Sequence, residues 1–335
     1  MSYHPVPELS RTLQTQNAPE NTAFERINKG YNAVYRPQRL SVGLVVPIEN
    51  YADNPVPRMT RHIERVRLAE ELGFAVVWLR DVPFNVPSFG DAGQTFDPFV
   101  YLGLLAGQTQ KIALGVASIV LPLRHPAHVA KAAASADVLS GGRLILGIAS
   151  GDRPQEYPAM NQTYGDRGER FKASYHYIRR MADVAPAFEN AFGAPYVGMD
   201  LLPKPAGTKL PLLITGSSQQ SPEWIAENGN GWVIYPRRTD VQAKVISEWN
   251  ARVRARTNWA KPVMQPLYID LADDAAAPPE PIHLGYRLGT EHLSSHLRAL
   301  EEIGVNHVSL NLRFNKANVE ETLERLASQV LPDFS

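Results

Sequence analysis

The chain contains no cysteine. That excludes disulfides, thiolate nucleophiles, zinc–thiolate sites and iron–sulfur clusters together, and leaves the redox compartment open. Net charge is missing as well, since Lys+Arg and Asp+Glu both number 34. A neutral chain has no global field to draw in nucleic acid or an anionic membrane, so any anion site must be local. No apolar run approaches the ~20 residues of a membrane-spanning helix. The opening MSYHPVPELSRTLQ has no basic stretch followed by an apolar one, so no secretory leader is read there. The expectation is a cytoplasmic protein.

What is present is 335 residues of globular composition, 44% hydrophobic and 20% charged. Residues 1–39 are polar and proline-bearing with little periodicity, which reads as an N-terminal arm rather than a core element. From Leu40 onward short apolar, β-branched runs alternate with helical patterns. LSVGLVVP reads as a buried strand, and Met59, Ile63, Val66, Ala69 and Leu72 then recur on one helix face. The strand AVVWL precedes Asp97-Pro98, an N-cap with proline in the first turn. IALGVASIVLP, RLILGIA, LPLLITG, GWVIY, QPLYIDLA and HVSLNLRF continue the series, each followed by a helical segment. Eight strand–helix pairs over residues 40–335 predict a closed (β/α)₈, or TIM, barrel. A two-domain split near 190–210 is the alternative, but no Gly/Ser linker marks it.

In such a barrel, function sits in the loops that follow the strands. SGDRPQEYP follows the fourth strand, where Ser150 and Gly151 let backbone approach a ligand closely. ITGSSQQSPEW follows the fifth. Gly216 there is a flexible turn, and Ser217, Ser218, Gln219 and the N-cap Ser221 lead into a helix, an arrangement that suits a phosphate. The alternative is that Ser221 is only a cap. Arg170, in DRGERF, could add the missing charge, with Arg167 one helical turn before it, or both could be solvated partners of Asp166 and Glu169. Arg80 and Asp81 end the second strand. LPLRHPAH brings Arg124, His125 and His128, but no carboxylate completes a metal set, and no metal is expected. Tyr157, Tyr235, His283, Tyr286 and Arg287 fall on or near the rim. The proline-rich stretch 272–288 reads as a lid or as a rigid excursion.

These residues, in this order, resemble the bacterial luciferase-like flavin oxidoreductases. LPLRHP, LSGGR and LGIASG together carry the resemblance, which continues through RGERF and PLLITGSSQQSPEW to GVNHVSLNL. It implies a (β/α)₈ barrel that binds FMN, or in some branches a deazaflavin. Arg170 with Ser217, Ser218, Gln219 and Ser221 would meet the phosphate, and Ser150-Gly151 would lie along the ribityl chain or phosphate. The tricyclic ring would pack on Ala117-Ser118, where the family commonly has a non-proline cis peptide. The resemblance further implies a monooxygenase using reduced FMN, O2 and a small organic substrate, with NAD(P)H or a flavin reductase as electron source, and a homodimer. The alternatives are a deazaflavin-dependent hydride-transfer enzyme and a non-catalytic flavin binder. One departure stands out. Luciferases carry a catalytic histidine after the second strand where this chain has Val82, so Asp81 and Arg80 are the nearest candidates for acid–base work.

Overall fold

The computed structural model describes residues 22–334. Eight parallel strands form the barrel: β1 Ser41–Val45, β2 Val76–Leu79, β3 Ala113–Val120, β4 Leu144–Ala149, β5 Leu212–Thr215, β6 Gly231–Val233, β7 Val263–Leu271 and β10 His307–Asn311. Each pairs with the next, and β10 pairs with both β7 and β1, so the eight-stranded barrel closes on itself. The barrel is therefore the expected (β/α)₈ form. The helices around it are α2 His62–Glu71, α3 Pro98–Gln108, α4 Pro126–Leu139, α6 Arg167–Arg180, α7 Pro222–Asn228, α8 Thr239–Arg254, α9 Thr290–Glu302 and α10 Val319–Gln329. Their starts follow from capping. The Asp97 carboxylate accepts the N–H groups of Phe99 and Val100 ahead of Pro98, and Ser221 accepts that of Trp224 ahead of Pro222.

The strands read as nearly continuous apolar text because both faces are covered. Outward residues such as Leu44, Val77, Leu114 and Leu146 pack under the helices. Inward residues such as Val76, Trp78, Ala113, Ile145 and Leu213 stack inside the barrel. Gly115 has no room for a side chain, since a Cβ there would lie 2.3 Å from the Trp78 ring.

Residues expected to form an arm do more than that. Residues 1–21 lie outside the described residues, but α1 Lys29–Val34 and its flanks plug the N-terminal end of the barrel. Tyr31 is 1% exposed. Its hydroxyl donates to the Asn230 carbonyl at 2.6 Å, and Tyr35 donates to Met264 Sδ at 3.2 Å. Asn28 Nδ2 reaches Asp137 Oδ1 at 2.9 Å and the Leu144 carbonyl at 2.8 Å. A helix of six residues is under two turns, too short for a periodic pattern to announce it. Above this plug, Trp78 Nε1 donates to His307 Nε2 at 2.9 Å. His307 Nδ1 meets Ser41 Oγ at 2.8 Å, and Ser41 donates to the Val34 carbonyl at 2.8 Å. With its proton on Nδ1, His307 closes this chain in the neutral form. Burial pulls its pKa down to about 3.

The stretch where a domain boundary was the alternative is pinned to the barrel's own helices. Ala206 N–H donates to Asp137 Oδ2 on α4, and Asn190 Nδ2 to the Ala173 carbonyl on α6. The proline-rich stretch is an excursion built into the sheet. β7 has nine residues against three in its neighbour β6. The last residues of β7, Tyr268 to Leu271, pair in parallel with β9 Gly285–Leu288, which also pairs with β8 Glu280–Ile282.

Candidate active site

A cavity of about 480 Å³ opens at the C-terminal ends of the strands. Its floor combines the apolar surfaces of Trp78, Ala117 and Met264 with the polar groups of Ser118, Thr215 and Ser309. The Ala117–Ser118 peptide is cis, and the β3–β4 register shifts between Val116 and Ile119. β4 allows this because Gly147 carries no side chain, a Cβ there falling 2.5 Å from the Val116 carbonyl oxygen. Ser118 and Thr215 hydroxyls hydrogen-bond across the floor.

On one side Ser150 and Gly151 face the turn Gly216–Gln219, and all of these line the cavity. Gly151 holds a φ of +78°, and a Cβ there would meet the Tyr157 hydroxyl at 2.9 Å. Tyr157 is fully buried and donates to the Ser150 carbonyl, which fixes this wall. Ser218 and Gln219 also hold positive φ. The first turn of α6 packs directly on this loop, with Gly168 against the Gln219 side chain.

Two residues read from the sequence as phosphate ligands stand back from the cavity. Ser221 caps α7 with its hydroxyl and is not part of the lining. Arg170 is not part of it either. Its Nη2 donates to the Pro122 carbonyl at 3.3 Å, while its buried Nε has no partner among the described residues. Arg167 turns instead onto Tyr164, 3.7 Å from guanidinium to ring centre.

The opposite side is charged. Asp81, the nearest sequence candidate for acid–base work, is held by three donors. Arg124 Nη2 and Nε reach its two oxygens at 2.7 and 3.1 Å, and the Val120 N–H adds a bond at 3.0 Å. Its geometry fits a tie between the ends of β2 and β3 better than a proton donor. Arg80 pairs not with its sequence neighbour but with Asp91, at 2.7 Å, and Arg313 shares the same oxygen at 3.1 Å. Val82 does line the cavity.

Sequence reasoning passed over Glu156. It opens α5 Glu156–Ala159, is 2% exposed, and has an Oε1 without a partner among the described residues. Burial pushes its carboxyl up to about 7, against the pull of Arg153 and with a smaller push from Asp81. The only signal in the text was a carboxylate in a rim loop. Of the other flagged residues, Tyr235 and His283 line the cavity. Tyr286 packs on His296, and Arg287 pairs with Asp270 at 3.3 Å. His125 accepts the Ala127 N–H, and no group of three metal-ligating side chains occurs among the described residues.

The profile of the luciferase-like monooxygenases matches residues 40–306. The chain belongs to this family. An F420-dependent hydroxymycolic acid dehydrogenase of Mycobacterium tuberculosis is 28% identical over 224 residues, 65% of this chain and 59% of that protein. The chain thus matches well under two thirds of that relative's length. A monooxygenase from Streptomyces bottropensis superposes with a TM-score of 0.73 at 18% identity, over 88% of this chain and 100% of the other. The oxygenating component of 3,6-diketocamphane monooxygenase from Pseudomonas putida, solved with FMN, gives 0.70 at 14% identity over 89% and 99%. At these identities the structural likeness is one of fold. Among the described residues no helix is long and apolar enough to cross a membrane.

Proposed function

We propose that this chain is an FMN-dependent monooxygenase acting on a small organic substrate. The observation that carries the reading is one cavity with three different parts: a neutral hydroxyl-bearing turn, a floor with apolar and polar patches, and a buried carboxyl. These parts fit the cofactor. Trp78, Ala117 and Met264 offer surface for a flat ring, and Ser118, Thr215 and Ser309 offer partners for its polar edge. Gly216 to Gln219, with Ser150-Gly151 opposite, form the end suited to the phosphate, and Arg170 behind the turn adds positive charge.

Bound there, FMN supplies two-electron redox and oxygen chemistry, with electrons from a nicotinamide cofactor or a flavin reductase. The protein contributes position and a proton. A carboxyl with a pKa of about 7 is half protonated at neutral pH, so Glu156 can give or accept a proton at its free oxygen.

Glu156 also favours a second reading, deazaflavin-dependent oxidation of an alcohol, in which it would take the hydroxyl proton. The name of the Mycobacterium tuberculosis relative points the same way. Titrating apo-protein with FMN, riboflavin and a deazaflavin, followed by visible absorbance, decides between them. Tighter binding of FMN than of riboflavin, and O2 uptake on adding reduced FMN and substrate, support the first reading. Binding of the deazaflavin alone, with no O2 uptake, replaces it by the second. Neither cofactor binding would end both.

The same proposal includes a homodimer. Val100, 73% exposed, and Leu104 share one face of α3 with Gly103 and Gly107, where an added Cβ meets nothing. An apolar face with small residues suits close packing against its own copy. Analytical ultracentrifugation should give twice the chain mass, falling to the single mass in Val100→Glu.

A further inference from the structure

We propose that the substrate of this site is a small organic carboxylate, bound by Arg153 and Arg313. The word substrate rests on the oxidoreductase reading above, whereas the anion site itself rests on geometry alone.

Three guanidiniums converge on one short stretch of the loop between β2 and α3. Arg80 Nη1 and Arg313 Nη1 both reach Asp91 Oδ2. Arg313 Nη2 donates to the Gly90 carbonyl at 2.7 Å, and Arg153 Nη2 to the Asp91 carbonyl at 2.9 Å. Consecutive carbonyls of one loop therefore hold both Arg153 and Arg313. Arg153 is only 5% exposed. All three arginines line the cavity.

Their charge is not balanced. Asp91 answers one guanidinium, and Asp81 is engaged by Arg124. Asp152 also lines the cavity and acts on Arg153, but it is exposed to solvent, where its charge is partly screened. Glu156, the remaining acid, resists ionisation because it is buried. Burial, and Arg80 second to it, likewise depress the Arg153 guanidinium from its ordinary value. A cluster of cations short of counter-charge inside a cavity is completed by an anion.

The covered faces of these groups select the kind of anion. The Phe89 ring lies 4.1 Å from the Arg153 guanidinium, and Tyr51 and Phe314 lie 5.0 and 5.4 Å from that of Arg313. A guanidinium donates in its own plane, so rings over its face leave its edges free to donate. Edge donors remain: Arg153 Nη1 and Arg313 Nε have no partner among the described residues. A free edge donor on each of two guanidiniums suits the oxygens of a planar carboxylate. The position also suits a substrate rather than the cofactor phosphate. Arg313 follows β10, three strands round the barrel from β5 and its serine turn, and Arg153, in the loop after β4, reaches away from that turn to the Asp91 carbonyl.

The test uses benzoate, benzamide and inorganic phosphate as probes, titrated calorimetrically into apo-protein and into FMN-loaded protein. Benzoate should bind at least about tenfold more tightly than either of the others. Arg153→Met and Arg313→Met should each erase that preference, by about ten- to a hundredfold in benzoate affinity, with FMN affinity unchanged. Arg153→Lys, which keeps the charge but not the edge geometry, should retain part of it, and melting curves confirm that each variant is folded. Equal binding of benzoate and benzamide overturns the proposal. So does phosphate binding as tightly as benzoate, or a preference that survives in both methionine variants. If benzoate preference is intact but no cofactor binds, the redox reading falls and the carboxylate site stands. If cofactor binds and benzoate preference is absent, only the carboxylate proposal falls.

Discussion

At the N-terminal end of the barrel, Trp78, His307 and Ser41 hand hydrogen bonds from one to the next, and Tyr31 and Tyr35 each find an acceptor. At the C-terminal end, Arg153, Glu156, Arg313 and Tyr51 each keep a buried polar atom without a partner among the described residues. One sheet carries both ends, so the difference lies in what each end is for. An unmet buried polar group destabilises a fold by about 1–3 kcal/mol, and proteins concentrate such groups where a ligand will meet them. The lower end holds the barrel shut; the upper end is left incomplete.

Substitutions can break this contrast. The largest stability effect is expected from Tyr31→Ala, which empties the plug and should cost about 3–5 kcal/mol. Denaturant unfolding would measure it, and the protein that remains folded should bind cofactor as before. A loss of cofactor affinity matching the loss of stability would mean the two ends are not separable. Glu156→Gln should do the reverse. It removes a proton site without opening space, so turnover should fall by on the order of a hundredfold while the fold persists. The neutral-pH limb of the pH–rate profile should vanish with it. Wild-type turnover in Glu156→Gln would move the proton to another group of the lining, such as His283.

Asp81→Asn sharpens the comparison, because Asp81 sits at the upper end yet is bonded like a lower-end residue. It should lose about 1.5–3 kcal/mol of stability through Arg124, and slow the reductive and oxidative half-reactions together. Slowing of the oxidative half-reaction alone, at wild-type stability, would return Asp81 to catalysis. The remaining effect is in pH. His307 binds its proton less readily folded than unfolded, so its contribution is lost as pH falls from about 6.5 towards 3. Glu156 binds its proton more readily folded, so its contribution is full below about 4.5 and lost as pH rises towards 7. Glu156→Gln should therefore gain melting temperature relative to wild type at pH 8 compared with pH 5. A constant difference across that range would show that Glu156 is not raised.

Much of the upper end was legible because its residues are local in sequence. Ser150-Gly151 and Gly216 to Gln219 follow their strands directly, and the strands announce themselves by apolar content. What escaped depends on contacts between distant segments. The partner of Asp81 is Arg124, 43 positions away, rather than adjacent Arg80. Glu156 is an ordinary rim carboxylate until the fold buries it beside Arg153. Arg170 and Ser221 have the right residue types, but their recorded bonds point to a neighbouring carbonyl and a helix cap. At the lower end, α1 hid because its six residues, KGYNAV, are too few to show a period.

The overhang of β7 constrains how anything reaches the cavity. Because β9 continues the parallel ladder beyond the barrel, the hairpin that contributes His283 and Leu284 to the lining is a beam, not a door. Lifting it would break main-chain bonds and expose Leu288, which is wholly buried. The loop between β2 and α3, whose Phe84, Phe89 and Phe96 are exposed, has no such ladder beneath it. Deuterium should enter the amides of Gly285 to Leu288 as slowly as those of the barrel strands, and enter that loop far sooner.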